Sequence, residues 1–327
     1  MTRILRQYQE GYCRTGSWVV RLFACLLAMW LDVATAAPAR QVKHVPDIAL
    51  ILSSEAYPLR QAADGFQERL QALCRTGTRC PSVIALSLSE MEARSLRHPR
   101  LFVSIGSAAA RHLLERYPTA HQLHLMVSKN THSAPSSSPV SALFIEQPPG
   151  RLLDFLHFLL PDRRRIGILS TEDSQVFVEL LEGHAQRHGL DLRDRMIDDT
   201  EGIGKQLHAL NRSIDLLLSL PDPAIFNRQT LATILLACYQ DRIPVIGFSA
   251  GMTRAGALAS LYTPPEKIGS EGADLALRLL HGAAPFRAYS QYFEVTVNRR
   301  VAQALHLHLH LHLPTDAELD DWLEEMQ

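Results

Sequence analysis

The chain has 327 residues, 46% of them hydrophobic and 20% charged, with a formal net charge of −1. This is the composition of a globular α/β protein, and the length fits two compact units of roughly 100–200 residues each. The near-neutral balance argues against a nucleic-acid partner, because phosphate-backbone binders carry a basic face.

Arg3, Arg6, Arg14 and Arg21 form a basic leader, Leu22 to Leu31 a short apolar run, and Ala34-Thr35-Ala36 a small-x-small pattern. That order reads as a secretory signal, residues 1–36, cut after Ala36. The competing reading is a buried helix or an uncleaved anchor, but the run falls well short of the roughly 20 residues a spanning helix needs. Cys25 lies inside the run and not after it, which argues against lipidation. Export would place the mature chain in the periplasm. There Cys74 and Cys80, which bracket a polar turn, either close a small disulfide loop or remain free thiols. Cys238 lies in an apolar stretch and reads as core.

From Val45 onward apolar strands alternate with amphipathic helices. Strands are predicted at Ile48–Leu52, Val83–Leu86, Leu101–Ile105 and Leu123–Val127, with helices at Leu59–Leu73 and Ala108–Arg116. Lys129 to Pro139 is polar and Ser-rich and reads as a surface loop or hinge. Beyond it the alternation restarts. Helices are predicted at Leu152–Leu160, Gln175–His188, Lys205–Arg212 and Ala224–Gln240. Strands are predicted at Ile166–Leu169, Leu192–Ile197, Ile214–Leu220 and Val245–Phe248. Such βαβ alternation implies parallel sheets with helices on both faces, and two runs imply two Rossmann-like lobes. The remaining helix, Pro264–His281, and strand, Tyr292–Val297, are too little for a third domain and must dock on the first two. The expected division is therefore 37–138 plus about 250–285 for lobe one, and 139–249 plus about 286–327 for lobe two, joined by a multi-strand hinge.

The stretch Ile243-Pro244-Val245-Ile246-Gly247-Phe248-Ser249, then Arg254-Ala255-Gly256-Ala257-Leu258 and Leu261-Tyr262, carries a family likeness. It continues through Pro265-Glu266-Lys267-Ile268-Gly269, Leu279-Leu280-His281-Gly282 and Val295-Thr296-Val297-Asn298, and includes Leu159-Leu160-Pro161-Asp162 earlier. In that order these segments resemble the ABC transporter substrate-binding family that includes tryptophan- and tyrosine-type binders. The resemblance implies the type I periplasmic-binding-protein fold, a small-molecule ligand held between the lobes, and an ABC permease in the inner membrane as partner. Where the family often has Gly-Gly, this chain has Ala255-Gly256.

In open α/β sheets ligands bind beyond the carboxyl ends of strands. That rule selects Ser53, Ser54, Gly106 and Ser107 on lobe one, with the helix N-terminus at Ser107 suited to a carboxylate or simply capped by that residue. On lobe two it selects Thr171, Asp222, Phe248, Ser249 and Tyr262. Asp222, between Pro221 and Pro223, can bind a ligand ammonium or hydroxyl, or cap the following helix. Tyr262 can stack on an aromatic ligand or complete the core. His306, His308, His310 and His312 alternate with leucines, a weak metal-site candidate because the motif positions no Cys or carboxylate beside them. Nucleophile-elbow, P-loop, zincin and dinucleotide fingerprints are missing from the sequence. The expectation is a non-catalytic receptor without cofactor. The alternative is a periplasmic ligand sensor of the same fold feeding a membrane signalling protein.

Overall fold

The computed structural model describes residues 45–75, 80–93, 98–129, 132, 134–135 and 137–307. The first half contains β1 (Ile48–Leu52), α1 (Tyr57–Arg75), β2 (Val83–Ser87), α2 (Leu88–Ala93), β3 (Leu101–Ile105), α3 (Ser107–Arg116), β4 (Gln122–Val127) and β5 (Val140–Phe144). Next come α4 (Pro149–Leu159), β6 (Arg165–Ser170), α5 (Gln175–Ala185), β7 (Asp191–Met196), α6 (Ile203–Asn211), β8 (Leu216–Leu218), α7 (Leu231–Gln240) and β9 (Val245–Gly247). The last described elements are α8 (Ala250–Ala255), β10 (Ala259–Tyr262), α9 (Pro265–Leu280), β11 (Arg287–Tyr289), β12 (Glu294–Val297) and α10 (Arg299–Ala304).

These strands form two sheets of six, ordered β11-β5-β4-β3-β1-β2 and β12-β10-β9-β8-β6-β7. Every pairing is parallel except β10 with β12. Strands β1, β3 and β5 are buried along their whole length, as near-continuous apolar runs covered on both faces must be. The chain passes between the sheets three times: after β5, after β10, and between β11 and β12.

Sheet membership corrects the expected lobe boundaries. Val140–Phe144, assigned from the sequence to lobe two, pairs with β4 in the first sheet, and Arg287–Tyr289 pairs with β5 there. Ala259–Tyr262, assigned to lobe one, pairs with β9 in the second sheet. Short strands next to a crossover carry no local mark of which sheet will accept them, because the hydrogen-bond partner is distant in sequence. The expected helix Ala224–Gln240 begins only at Leu231, after a series of turns in which Asn227 Oδ1 accepts from the backbone of Gln229 and Thr230.

Helix α9 leaves β10 of the second sheet and packs on α1 of the first lobe. The two helices approach backbone to backbone: a Cβ on Gly65 would strike the Glu266 carbonyl, and one on Gly269 would strike the Ala62 carbonyl and the Phe66 amide. Flanking that contact, Ala62, Phe66, Leu70, Ile268, Ala273 and Ala276 join one apolar cluster with β1, β3 and β4. Cys74, near the end of α1, is bridged to Cys80, while the Cys238 thiol is buried and pushed up to about 12 by burial.

No helix links β4 to β5 among the described residues; part of the polar stretch between them lies against the sheet through a chain of neutral hydrogen bonds. Gln122 Nε2 donates to the carbonyls of Leu113 and Tyr117 (3.3 and 2.7 Å), which turns Gln122 Oε1 toward His124 Nε2 at 2.8 Å. His124 Nε2 must then carry the proton, leaving Nδ1 to accept from His132 Nε2 at 3.0 Å. A second proton on His124 would set two N–H groups against each other. Burial, then His132 and Arg287, depress His124 to about 3; burial and Arg287 depress His132 to about 4.

Two predictions arise here. Gly269→Ala should cost about 1–3 kcal/mol, the range for overpacking a tight contact, read from urea unfolding; an unchanged midpoint would show that α9 can shift at no cost. For the histidines the unfolded chain binds more protons than the folded one between the ordinary value of 6.5 and the depressed values. Their contribution is therefore complete above pH 6.5 and is lost as pH falls toward 4 and 3. The buried carboxyls of Glu146 and Glu271 are pushed up and act in the opposite sense. Comparison of wild type with His124→Gln from pH 7.5 to 4.5 isolates the contribution of His124, and the variant should show the shallower acid slope.

Candidate functional site

The strand ends of both sheets supply the candidate site. On lobe one Ser53 accepts from the Ala109 amide at 2.9 Å and so caps α3 from a neighbouring strand. Gly106 takes the helix N-cap position with φ 93°, a left-handed conformation that favours glycine. A Cβ there would also press on Ser53 Oγ at 2.7 Å. Ser107 is then the first helical residue and not the cap. Ser54 is exposed, with Oγ 3.4 Å from the Ala56 amide.

Ser128 and Lys129 follow β4 and were not selected from the sequence, although the same strand-end rule would have reached them. Ser128 Oγ donates to Glu146 Oε1 at 2.5 Å, and the Lys129 amide reaches both Glu146 oxygens at 3.0 and 3.1 Å. Glu146 is only 3% exposed; burial pushes its carboxyl up and these donors pull it back. The Lys129 ammonium lies over the rings of Phe144 and Tyr289, 5.2 and 5.3 Å from their centroids.

On lobe two Thr171 Oγ1 donates to Asp222 Oδ2 at 2.6 Å, and Asp222 Oδ1 accepts from the Ala224 amide at 3.0 Å. The carboxylate is thus both a turn cap and the partner of a second strand end. Ser128 from lobe one and Asp173, Ser174, Pro221 and Asp222 from lobe two line one pocket of about 60 Å³. Phe248 stands edge-on to Phe226, centroids 6.0 Å apart. Ser249 accepts from the Met252 amide as the cap of α8. The Tyr262 hydroxyl donates to Glu294 at 3.2 Å and is pushed up to about 12 by burial and by Glu294. The structure therefore brings Thr171 and Asp222 together, gives Ser53 and Ser249 capping bonds, and engages Tyr262 across the β10–β12 pair.

The three crossovers meet at Thr263. Gln147 Nε2 donates to Thr263 Oγ1 at 2.8 Å, and Thr263 Oγ1 donates to the Tyr292 carbonyl at 2.7 Å. Arg151 donates to Gln147 Oε1 and the Ser290 carbonyl, with its guanidinium 4.7 Å from the Phe293 ring centroid.

His306 lies away from the strand ends, in a pocket of about 340 Å³ with Asp162, Arg163 and Asp215. Asp215 is engaged by Arg165, which holds its carboxyl down at about 2. Among the described residues no group of three His, Cys, Asp or Glu side chains could hold a metal ion; His308, His310 and His312 lie outside the described residues. No described helix is long and apolar enough to cross a membrane.

Residues 149–317 match the family model described as ABC transporter substrate binding protein. The chain belongs to that family. A curated relative, the tyrosine-binding protein of Clostridioides difficile (strain R20291), is 24% identical over 135 residues, which is 40% of this chain and 39% of the relative's length. Among solved structures, the ligand-free, open form of a substrate-binding protein with adhesive properties from Clostridium difficile has a TM-score of 0.65 at 18% identity. That match covers 82% of this chain and 97% of the other. The ABC domain from Streptococcus pneumonia in complex with L-Trp scores 0.63 at 16% identity, covering 82% and 98%. At such identities these likenesses establish the fold, a two-lobed α/β protein of the type I periplasmic-binding-protein kind.

Thr263 supports one prediction. Thr263→Val removes the shared hydroxyl and leaves the Gln147 amide and the Tyr292 carbonyl unpaired in a buried site, a cost of about 1–3 kcal/mol. It should lower the urea midpoint, whereas Thr263→Ser, which keeps the oxygen, should restore most of the loss; equal midpoints for Val and Thr would remove the crossovers' shared bond from the account.

Proposed function

We propose that this protein is the exported solute receptor of an ABC importer. It captures a small molecule, with amino acids the first class to examine, between its lobes and performs no chemistry. The pocket shared by Ser128 of lobe one and Asp222 of lobe two carries this reading: a solute touching both walls stabilises the closed arrangement over the open one by the contacts it gains there. Thr171 orients the Asp222 carboxylate toward a solute ammonium or hydroxyl, while Phe248 and Phe226 offer an apolar wall. The names of the relatives, one a tyrosine binder and one solved with L-Trp, support the choice of amino acids. The leader at residues 1–36 supports a periplasmic site of action, and family membership supports an inner-membrane permease as the recipient.

The test is a thermal-shift screen of the chain from Ala37 against amino acids, small sugars and nucleosides, followed by titration calorimetry. A bound solute at a hundred times its dissociation constant should add about 2.7 kcal/mol of stability. Asp222→Ala should weaken it by about 1.5–3 kcal/mol, the range for a hydrogen bond to a charged group. A folded protein indifferent to the whole panel, or a solute whose affinity ignores Asp222→Ala, would refute the assignment.

A further inference from the structure

Ser219 is the one polar residue in the run Leu216-Leu217-Leu218-Ser219-Leu220 at the end of β8. It is 2% exposed, and its hydroxyl has no hydrogen-bond partner among the described residues. A buried hydroxyl left unpaired costs about 1–3 kcal/mol, so its presence calls for a physical reason. Ser104 shares the unpaired state but sits in mid-strand, its register partners Ile51 and His124. Ser219 instead lines a cavity, together with Glu146 and Gln147 from the first crossover and Phe177, Gly247 and Phe248 from lobe two.

This cavity adjoins the cleft pocket. Leu220 and Pro221 line both, and Ser128 of the cleft is bonded to Glu146 of the cavity. Its volume is about 20 Å³, where one water-sized group needs roughly 10–15 Å³. The walls specify the chemistry of that group. Ser219 offers one donor and two lone pairs; the Glu146 carboxylate accepts from Ser128 and Lys129, and with about four lone-pair sites it can accept a further donor. The Gln147 amide is already engaged by Thr263 and Arg151, and the other lining side chains are apolar. A neutral group that both donates and accepts, on an otherwise apolar stem, satisfies all three surfaces, whereas a hydrogen atom in its place leaves Ser219 unpaired.

We propose that this cavity, between Ser219 of lobe two and Glu146 of the first crossover, receives a terminal hydroxyl of the bound solute and selects hydroxylated solutes over their deoxy counterparts. The inference rests on the solute-receptor reading and adds the group recognised at the cleft floor. Sites built to bond a hydroxyl discriminate strongly against the analogue lacking it, because the site's own polar groups are then stranded.

Titration calorimetry on the chain from Ala37 with two matched pairs tests it: L-tyrosine against L-phenylalanine, and 5-hydroxy-L-tryptophan against L-tryptophan. In at least one pair the hydroxylated member should bind about tenfold to a hundredfold tighter. Ser219→Ala should erase that preference while leaving the affinity of the deoxy member unchanged. The same substitution should not lower the melting temperature of the free protein, since it removes an unpaired group, so lost binding cannot be ascribed to misfolding. Glu146→Gln, which keeps the shape, provides the second variant and should also reduce the preference. Equal affinities within both pairs, or a preference that survives both substitutions, overturns the inference and leaves the receptor reading intact. Binding of none of the four probes by folded protein overturns this inference, while the receptor reading stands or falls on the wider solute panel.

Discussion

The carbonyl of Ala62 touches the backbone of Gly269, and the carbonyl of Glu266 touches that of Gly65. These contacts decide which lobe the last third of the chain serves. Without them α9 would leave β10 beside the second sheet, where sequence adjacency would keep it. Held against α1, it covers the face of β1, β3 and β4, and the chain is then placed to supply β11 to the first sheet before β12 returns to the second. Helices with side chains at both positions could not come this close, and the apolar cluster of Phe66, Leu70, Ile268 and Ala276 would be prised apart.

The same arrangement explains why the candidate site is polar on a largely apolar frame. Strand ends gather here: Ser128 after β4 lines the cleft pocket, Thr171 after β6 bonds to its Asp222, and Ser219 after β8 lines the adjoining cavity, while the strand interiors remain core. Two carboxylates sit there under different constraints. Asp222 accepts from a hydroxyl and an amide at the mouth. Glu146 is sunk in the floor and held by donors from the segment after β4. A buried charge is tolerated only when such donors replace its lost hydration, which makes the segment after β4 part of the site's electrostatics and not only a connector.

Much of this was legible in the sequence because burial on both faces writes an unbroken apolar run: Ile48–Leu52 and Leu101–Ile105 are strands as read. Asp222 was legible as a strand-end residue because flanking prolines and a preceding apolar strand mark a strand end, whereas the spacing of Cys74 and Cys80 left open whether they bridge, as they do in the structure. Strands β5 and β11 were not, since Val140–Phe144 and Arg287–Tyr289 become strands only by pairing with each other and with β4. Glu146, in Ile145-Glu146-Gln147-Pro148-Pro149, was not selected from the sequence. Its burial depends on donors 17 and 18 residues earlier, a relation no local pattern records. Ser219 did carry a signal, a lone hydroxyl among leucines, but only the cavity beside it gives that signal a meaning.

The hydroxyl of Thr263 accepts from Gln147 and donates to Tyr292, so a single oxygen atom joins all three crossovers. A hydroxyl can re-aim its hydrogen by rotating about its C–O bond as the acceptor moves, and this makes it a suitable pivot. Displacement in any turning of one lobe against the other grows with distance from that atom. Residues at the cleft mouth would travel ångströms while the floor near Glu146 and Ser219 scarcely moved. If the lobes turn as the solute-receptor proposal requires, the molecule would act as a lever with its fulcrum at Thr263: a solute seated at the floor would meet the same chemistry throughout the stroke, and the mouth alone would distinguish open from closed.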